Sequence, residues 1–179
     1  MKRKLLILGV ALTLVAALIV PSLVLAADPT VTIPVSAKTI AITNTMSTWN
    51  IGPVDIDVVK YFSADNTQND TYSTITNTGN VAVDVEIQGT DLEGGDYDWT
   101  LASAAVAETY SLYANTPSGG SSYTIAVLKT SYNDIVTDLA KDGTYLWSMK
   151  FTAPSSFDAS DDGSDKTATV TLVASEHTT

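Results

Sequence analysis

The chain has no cysteine, one histidine and few basic residues. Without cysteine there is no disulfide framework and no thiol to carry a lipid anchor, so an exported form has to be held by sheet packing alone. The single histidine, His177, lies in the last stretch of the sequence, where chains are seldom tied down. A Ser-His-Asp or Cys-His mechanism therefore lacks its base, and a transition-metal site lacks its ligands. No glycine-rich phosphate loop occurs. Carboxylates for glycoside hydrolysis are present in number, but nothing in their spacing singles out a pair. The expectation is a protein that is not an enzyme.

Basic charge is scarce as well. Nine Lys and Arg face twenty Asp and Glu. Three of the nine, Lys2, Arg3 and Lys4, stand at the start, so residues 27–179 keep six lysines against those twenty acids, a net charge of −14. Such a surface repels phosphate, and neither nucleic acid nor an anionic membrane surface is expected as a partner. It suits solubility, high salt or divalent cations. Only one apolar run is long enough to span a bilayer, residues 5–20, and it follows the basic triplet directly. Pro21-Ser22 breaks the run and Val24-Leu25-Ala26 supplies a cleavage site. This predicts a signal peptide over residues 1–26, cut ahead of Ala27, with retention as an uncleaved anchor as the alternative. The destination is secreted, extracellular or cell-surface, with no membrane contact once the leader is gone.

Residues 72–88, YSTITNTGNVAVDVEIQ, carry the clearest pattern. Tyr72, Thr74 and Thr76 alternate with Ser73 and Ile75. Val81, Val83, Val85 and Ile87 alternate with Ala82, Asp84, Glu86 and Gln88. Period two describes half-buried strands, and Asn77-Thr78-Gly79-Asn80 between them predicts a tight hairpin turn at positive φ. Alternation recurs at residues 28–36, 38–43, 54–58, 144–151 and 167–174. Residues 131–141 differ: Tyr132, Ile135, Val136 and Leu139 fall at helical spacing, with Ser131 to cap and Gly143 to stop. The expected fold is all-β, an antiparallel sandwich of roughly eight to ten short strands with one short helix. The expected layout is a leader (1–26), an N-terminal extended segment or edge strand (27–37), the sandwich (38–174) and a frayed tail (175–179).

Two stretches resemble immunoglobulin-like sandwiches. WNIGPV at residues 49–54 followed by ITNTGNVAVD at residues 75–84 is similar to prokaryotic surface modules of the hydin type, with Ile51 where that family has Phe. Asp142-Gly143-Thr144-Tyr145-Leu146-Trp147 looks like a tyrosine corner, with Trp147 at the position of the second core cysteine. The resemblance covers residues 38–174 and implies an immunoglobulin-like β-sandwich in which the Tyr145 hydroxyl ties back to the backbone. Two further resemblances concern assembly. Trp99-Thr100-Leu101 and Trp147-Ser148-Met149 are similar to the W-x-L motifs of wall-binding domains, the second with Met for Leu. An exported, cysteine-free sandwich preceded by an extended strand also looks like subunits of biofilm fibres and donor-strand pili. Those imply an N-terminal segment that completes a neighbour's sheet.

Candidate sites follow. Asp158, Ser160, Asp161, Asp162 and Asp165 in DASDDGSD resemble the first half of a calcium loop, although Thr169 stands where such a loop needs Glu. Asp91, Glu93, Asp96 and Asp98 make a second acidic loop. Solvated surface loops are the other reading of both, so the expected cofactor is none, with Ca2+ as the exception. Trp99, Tyr110, Tyr113 and Tyr123 are candidates for a sugar platform; the plainer reading makes the aromatic residues core pins. Val31, Ile33, Val35, Ile40 and Ile42 are candidates for an assembly strand. The functional expectation is an exported, non-catalytic structural or filament subunit acting in adhesion or assembly, through self-association or contacts with other envelope proteins. The alternative is a polysaccharide- or cell-wall-binding module, stabilised by calcium.

Overall fold

A computed structural model describes residues 33–62, 72–115, 122–159, 161 and 163–178. The chain divides into two units, Met1–Ser36 and Ala37–Thr179. Of the first, residues 33–36 are described; they form no strand, and Ile33 and Val35 are 77% and 86% exposed.

Among the described residues the second unit has ten strands: β1 (Ile42–Asn44), β2 (Val59–Tyr61), β3 (Ser73–Asn77), β4 (Val83–Gly89), β5 (Thr100–Leu101), β6 (Thr109–Asn115), β7 (Ile125–Val127), β8 (Asn133–Leu139), β9 (Thr144–Thr152) and β10 (Val170–Glu176). They form two sheets packed as a sandwich. One runs β1-β3-β9-β6-β5, with β2 also on β9 and β7 also on β6; the other runs β10-β4-β8. Strand β9 is the spine of the larger sheet. On one edge it takes β3, from Ser73↔Trp147 to Thr76↔Thr144, and then β2, from Val59↔Thr152 to Tyr61↔Lys150. On the other it takes β6, from Ser111↔Thr152 to Asn115↔Ser148. Only β5 and β6 pair parallel among these strands.

Alternation explains the layers. On β4, Val83, Val85 and Ile87 are fully buried while Asp84, Glu86 and Gln88 face the other way. Tyr110, Leu112 and Ala114 on β6, and Trp147, Met149 and Phe151 on β9, come from the opposite sheet to meet them. Each fully buried large side chain contributes about 1.5–3 kcal/mol relative to exposure. The Trp147 indole N–H donates to Asn44 Oδ1 at 3.0 Å, so β1 is pinned to the core through a satisfied polar contact.

Four features depart from the sequence-based expectation. The helix over residues 131–141 is strand β8, and no helix occurs among the described residues. Along β8, Asn133, Val136 and Leu139 stand opposite Ile87, Val85 and Val83, with two register shifts. Extra residues on β8 set its buried side chains, Ile135 and Leu139, four apart instead of two, which imitates a helical stripe.

The stretch around Asn77-Thr78-Gly79-Asn80 is not a hairpin. Strand β3 lies in one sheet and β4 in the other, so the turn carries the chain across the sandwich. Its glycine serves close approach: a Cβ on Gly79 would lie 2.3 Å from the Thr39 carbonyl oxygen. Residues 54–58 are not a strand either. Asp57 takes φ 58°, Val58 N–H donates back to Asp55 O at 3.4 Å, and the strand starts only at Val59. Finally, β10 runs on through Ser175 and Glu176, two residues into the stretch expected to fray.

Candidate functional site

The two acidic loops lie against each other. Glu93 and Thr167 exchange backbone hydrogen bonds, Glu93 N–H to Thr167 O at 3.0 Å and Thr167 N–H to Glu93 O at 2.8 Å. Gly94 permits this approach, at φ 142°, because a Cβ there would lie 2.4 Å from the Asp165 carbonyl oxygen. Lys166 fills the junction. Its ammonium donates to the carbonyls of Gly94, at 2.9 Å, and Tyr97, and lies 3.4 Å from Asp161 Oδ1. Both side chains are nearly enclosed, 6% exposed for Lys166 and 7% for Asp161. Asp161 also accepts the Gly163 N–H and the Trp99 indole N–H, the latter at 3.0 Å on Oδ2. Burial pushes the Asp161 carboxyl up, but these donors and the ammonium outweigh it and hold it below its ordinary range.

Carbonyls and a carboxylate thus converge on a positive charge that the chain itself supplies. Ser160 and Asp162 of the expected calcium loop lie outside the described residues. Among the described residues, no three acidic or histidine side chains converge to hold a metal ion. Lys166 is the residue that the calcium reading missed. Its signal was a lone lysine at the end of an acidic run.

The aromatic candidates separate. Trp99 stacks on Phe157, ring centroids 4.9 Å apart and planes within 2°, with its indole donor taken by Asp161 and the Lys166 ammonium 5.6 Å from its centroid. A sugar platform needs a free ring face, and Trp99 is instead a pin between the loops. Tyr110 is buried in the core, its hydroxyl donating to the Thr90 carbonyl and pushed far up by burial. It makes the tie from tyrosine hydroxyl to backbone expected of Tyr145, which lies half-buried on β9. Tyr110 is enclosed in the core, whereas Trp99 is half-buried with one ring face against Phe157. Tyr113 and Tyr123 are half-buried. Tyr113 donates to the Ser103 carbonyl beneath the Lys150 ammonium, while Tyr123 leans on Tyr61 at 5.3 Å and 46°. Burial pushes the Tyr123 hydroxyl up, with Tyr72 and Tyr61 adding to it.

The assembly candidates divide at the boundary between the units. Val31 lies outside the described residues, and Ile33 and Val35 are exposed. Ile40 is 44% exposed, and Ile42 already belongs to β1, opposite Asn77 of β3. Residues 37–41 are held by the crossing turn: Thr78 and Gly79 N–H donate to Ala41 O, Asn80 N–H to Thr39 O, and the Asn80 side chain to Ala37 O. Residues 37–44 are therefore bonded within the chain's own sandwich, a stretch that overlaps the expected assembly segment up to residue 43.

On the outer face of the smaller sheet, Asp84 Oδ1 accepts the Asp138 N–H and meets His177 Nδ1, each at 2.8 Å. This joins β4, β8 and the residue after β10, and it orders the histidine that sequence position alone placed in a loose tail. The Asp138 N–H leads in holding the Asp84 carboxyl below its ordinary range. The chain matches no protein-family model, and a search of curated proteins finds no similar sequence.

Proposed function

We propose that this chain is an exported, non-catalytic subunit of a cell-surface or extracellular assembly, acting through contacts with further copies or with other envelope proteins. One observation carries the reading. The sandwich builds its core from its own strands β1 to β10, yet the chain ahead of it presents Ile33 77% and Val35 86% exposed on residues that join no strand. Alternating β-branched residues that their own fold leaves in water are what a strand contributed to a neighbour requires. The immunoglobulin-like resemblance and the leader pattern support the same setting. The contributed segment is residues 28–36, since residues 37–44 are bound at home.

The test is the solution mass of residues 27–179 against the same chain lacking residues 28–36, by light scattering over a concentration series. Association that disappears with the deletion supports the reading, and a monomer at every concentration overturns it.

A polysaccharide- or wall-binding module is the second reading. What supports it is narrower than the sequence implied: Tyr113 and the Tyr61–Tyr123 pair, without Trp99 or Tyr110. Retention on a polysaccharide column that Tyr123→Ala abolishes would favour it over assembly.

A further inference from the structure

A strand that joins a sheet needs an edge of matching length whose N–H and C=O groups are unpaired. Among the described residues, the larger sheet offers only short edges: β1, β2 and β7 have three residues each and β5 has two. The smaller sheet ends in two strands of seven, β8 and β10. They differ in how they are guarded. Strand β8 has two register shifts, Asp138 at φ 55°, and exposed carboxylates at Asp134 and Asp138. Bulges and edge charges keep strangers off.

Strand β10 carries a single charge, Glu176 at its last residue, paired with Lys38. It pairs with β4 from Val170↔Gly89 to Glu176↔Val83 without a shift, and its first six residues, VTLVAS, contain no charge, proline or glycine. Its polarity of pairing is fixed by two bonds at its ends. Thr90 N–H donates to Thr169 O, and His177 N–H donates to Ala82 O, each at 3.0 Å. Odd-numbered residues therefore address β4, and Val170, Leu172 and Ala174 turn their N–H and C=O groups to the open edge. Their side chains are only half-buried against the core, so a strand laid alongside would also finish covering them.

We propose that this edge of β10 is the acceptor in the assembly proposed above, and that its occupant is the segment carrying Ile33 and Val35 from a second copy. Three observations favour that occupant. Ile33 and Val35 stand two apart, so in an extended strand both side chains face the sandwich and both N–H groups address one edge. Pro34 between them has no N–H, so the segment pairs on one side and refuses a further strand on the other. Residues 33–36 are uncharged, whereas the outer face beside β10 carries Asp84, Glu86 and Asp134, which would repel a second acidic surface.

The inference rests on the assembly reading, and its test separates the two. Residues 27–179 contain every core residue among those described, so this chain is used. Its mass is followed over a concentration series by sedimentation, and amide exchange is read at Leu172 and Ala174. Val173→Lys puts a charge on a side chain already 36% exposed, and Ile33→Lys on one 77% exposed, so both should melt with the parent. The expected result is association with amide protection at Leu172 and Ala174 that rises with concentration at least tenfold, both lost in either variant. Association that needs Ile33 but leaves those amides open and ignores Val173→Lys overturns the acceptor edge while sparing the assembly reading. Protection that survives Ile33→Lys overturns the occupant in favour of β10 pairing with β10. A monomer throughout overturns both.

Discussion

The Asn77 side-chain amide donates across the sandwich to the carbonyl of Leu139, at 2.9 Å, from a position that is fully buried. The same nitrogen donates to Val81 O at 2.8 Å, and its oxygen accepts the Gly79 N–H at 2.9 Å. Both donors of the amide and its oxygen are thus engaged. Its backbone closes the crossing turn onto the β8–β9 turn, with N–H to Gly143 O and the Asp142 N–H to its carbonyl, each 3.0 Å. The end of β3, the crossing turn and the β8–β9 turn meet on one residue.

Asn77→Ala should therefore destabilise by about 2–4 kcal/mol, since it orphans buried groups as well as deleting bonds. Asn77→Asp should cost more, because a carboxylate cannot donate to two carbonyls. Urea unfolding at neutral pH measures both, and an Asp variant as stable as the Ala variant would contradict this geometry.

Gly79→Ala tests the packing of residues 37–41 onto the crossing turn. The added methyl would meet the Thr39 backbone carbonyl oxygen at 2.3 Å, so it has to push the segment away. A loss of about 1–3 kcal/mol is expected, with faster trypsin cleavage after Lys38. Equal cleavage rates in parent and variant would show that the segment is held by something else.

The junction at Lys166 predicts how the fold responds to acid. A carboxyl held below its ordinary range is ionised more readily in the folded chain, so Asp161 stabilises at neutral pH. That contribution stays constant above the ordinary carboxylate range and is lost as pH falls through the folded value. Asp161→Asn should melt lower than the parent at pH 7 and lose less on further acidification to pH 3. Parallel curves for the two proteins would remove Asp161 from the acid response.

The same junction bears on calcium. The Lys166 ammonium already meets the Gly94 and Tyr97 carbonyls and the Asp161 carboxylate that a hard cation would seek. Chelation should leave the melting temperature of the parent unchanged. Lys166→Met should lower it by removing one partner of an enclosed ion pair, by about 1–3 kcal/mol in stability. A drop on chelation of the parent would instead support calcium at residues 158–165.

Much of the fold was legible in the chain because β-branched residues alternate wherever one face is buried. Val83, Val85 and Ile87 announced β4, and Trp147, Met149 and Phe151 announced β9. What alternation does not contain is the identity of the partner strand. Thus Asn77-Thr78-Gly79-Asn80 looked like a hairpin when β3 and β4 belong to different sheets. Nor does it show inserted residues, which gave β8 the spacing of a helix. The candidate sites were less legible. Trp99 reads as a free platform until Phe157 and Asp161, some sixty residues away, are seen to occupy it. His177 reads as loose until Asp84 is found beside it, 93 residues away.

The pairing of distant stretches sets the order in which the fold can form. Val83 opposes Glu176, Ser73 opposes Trp147, and Asn44 meets Trp147 across 103 positions. Loops of that length have to close before any contact rewards them, so folding belongs to the slow, millisecond-to-second class of high contact order. A nascent chain that ends at Phe151 lacks β10, which among the described residues is the strand that covers that side of β4. Until β10 is made, Val83, Val85 and Ile87 on β4 lack their neighbours on that side and the smaller sheet is left incomplete.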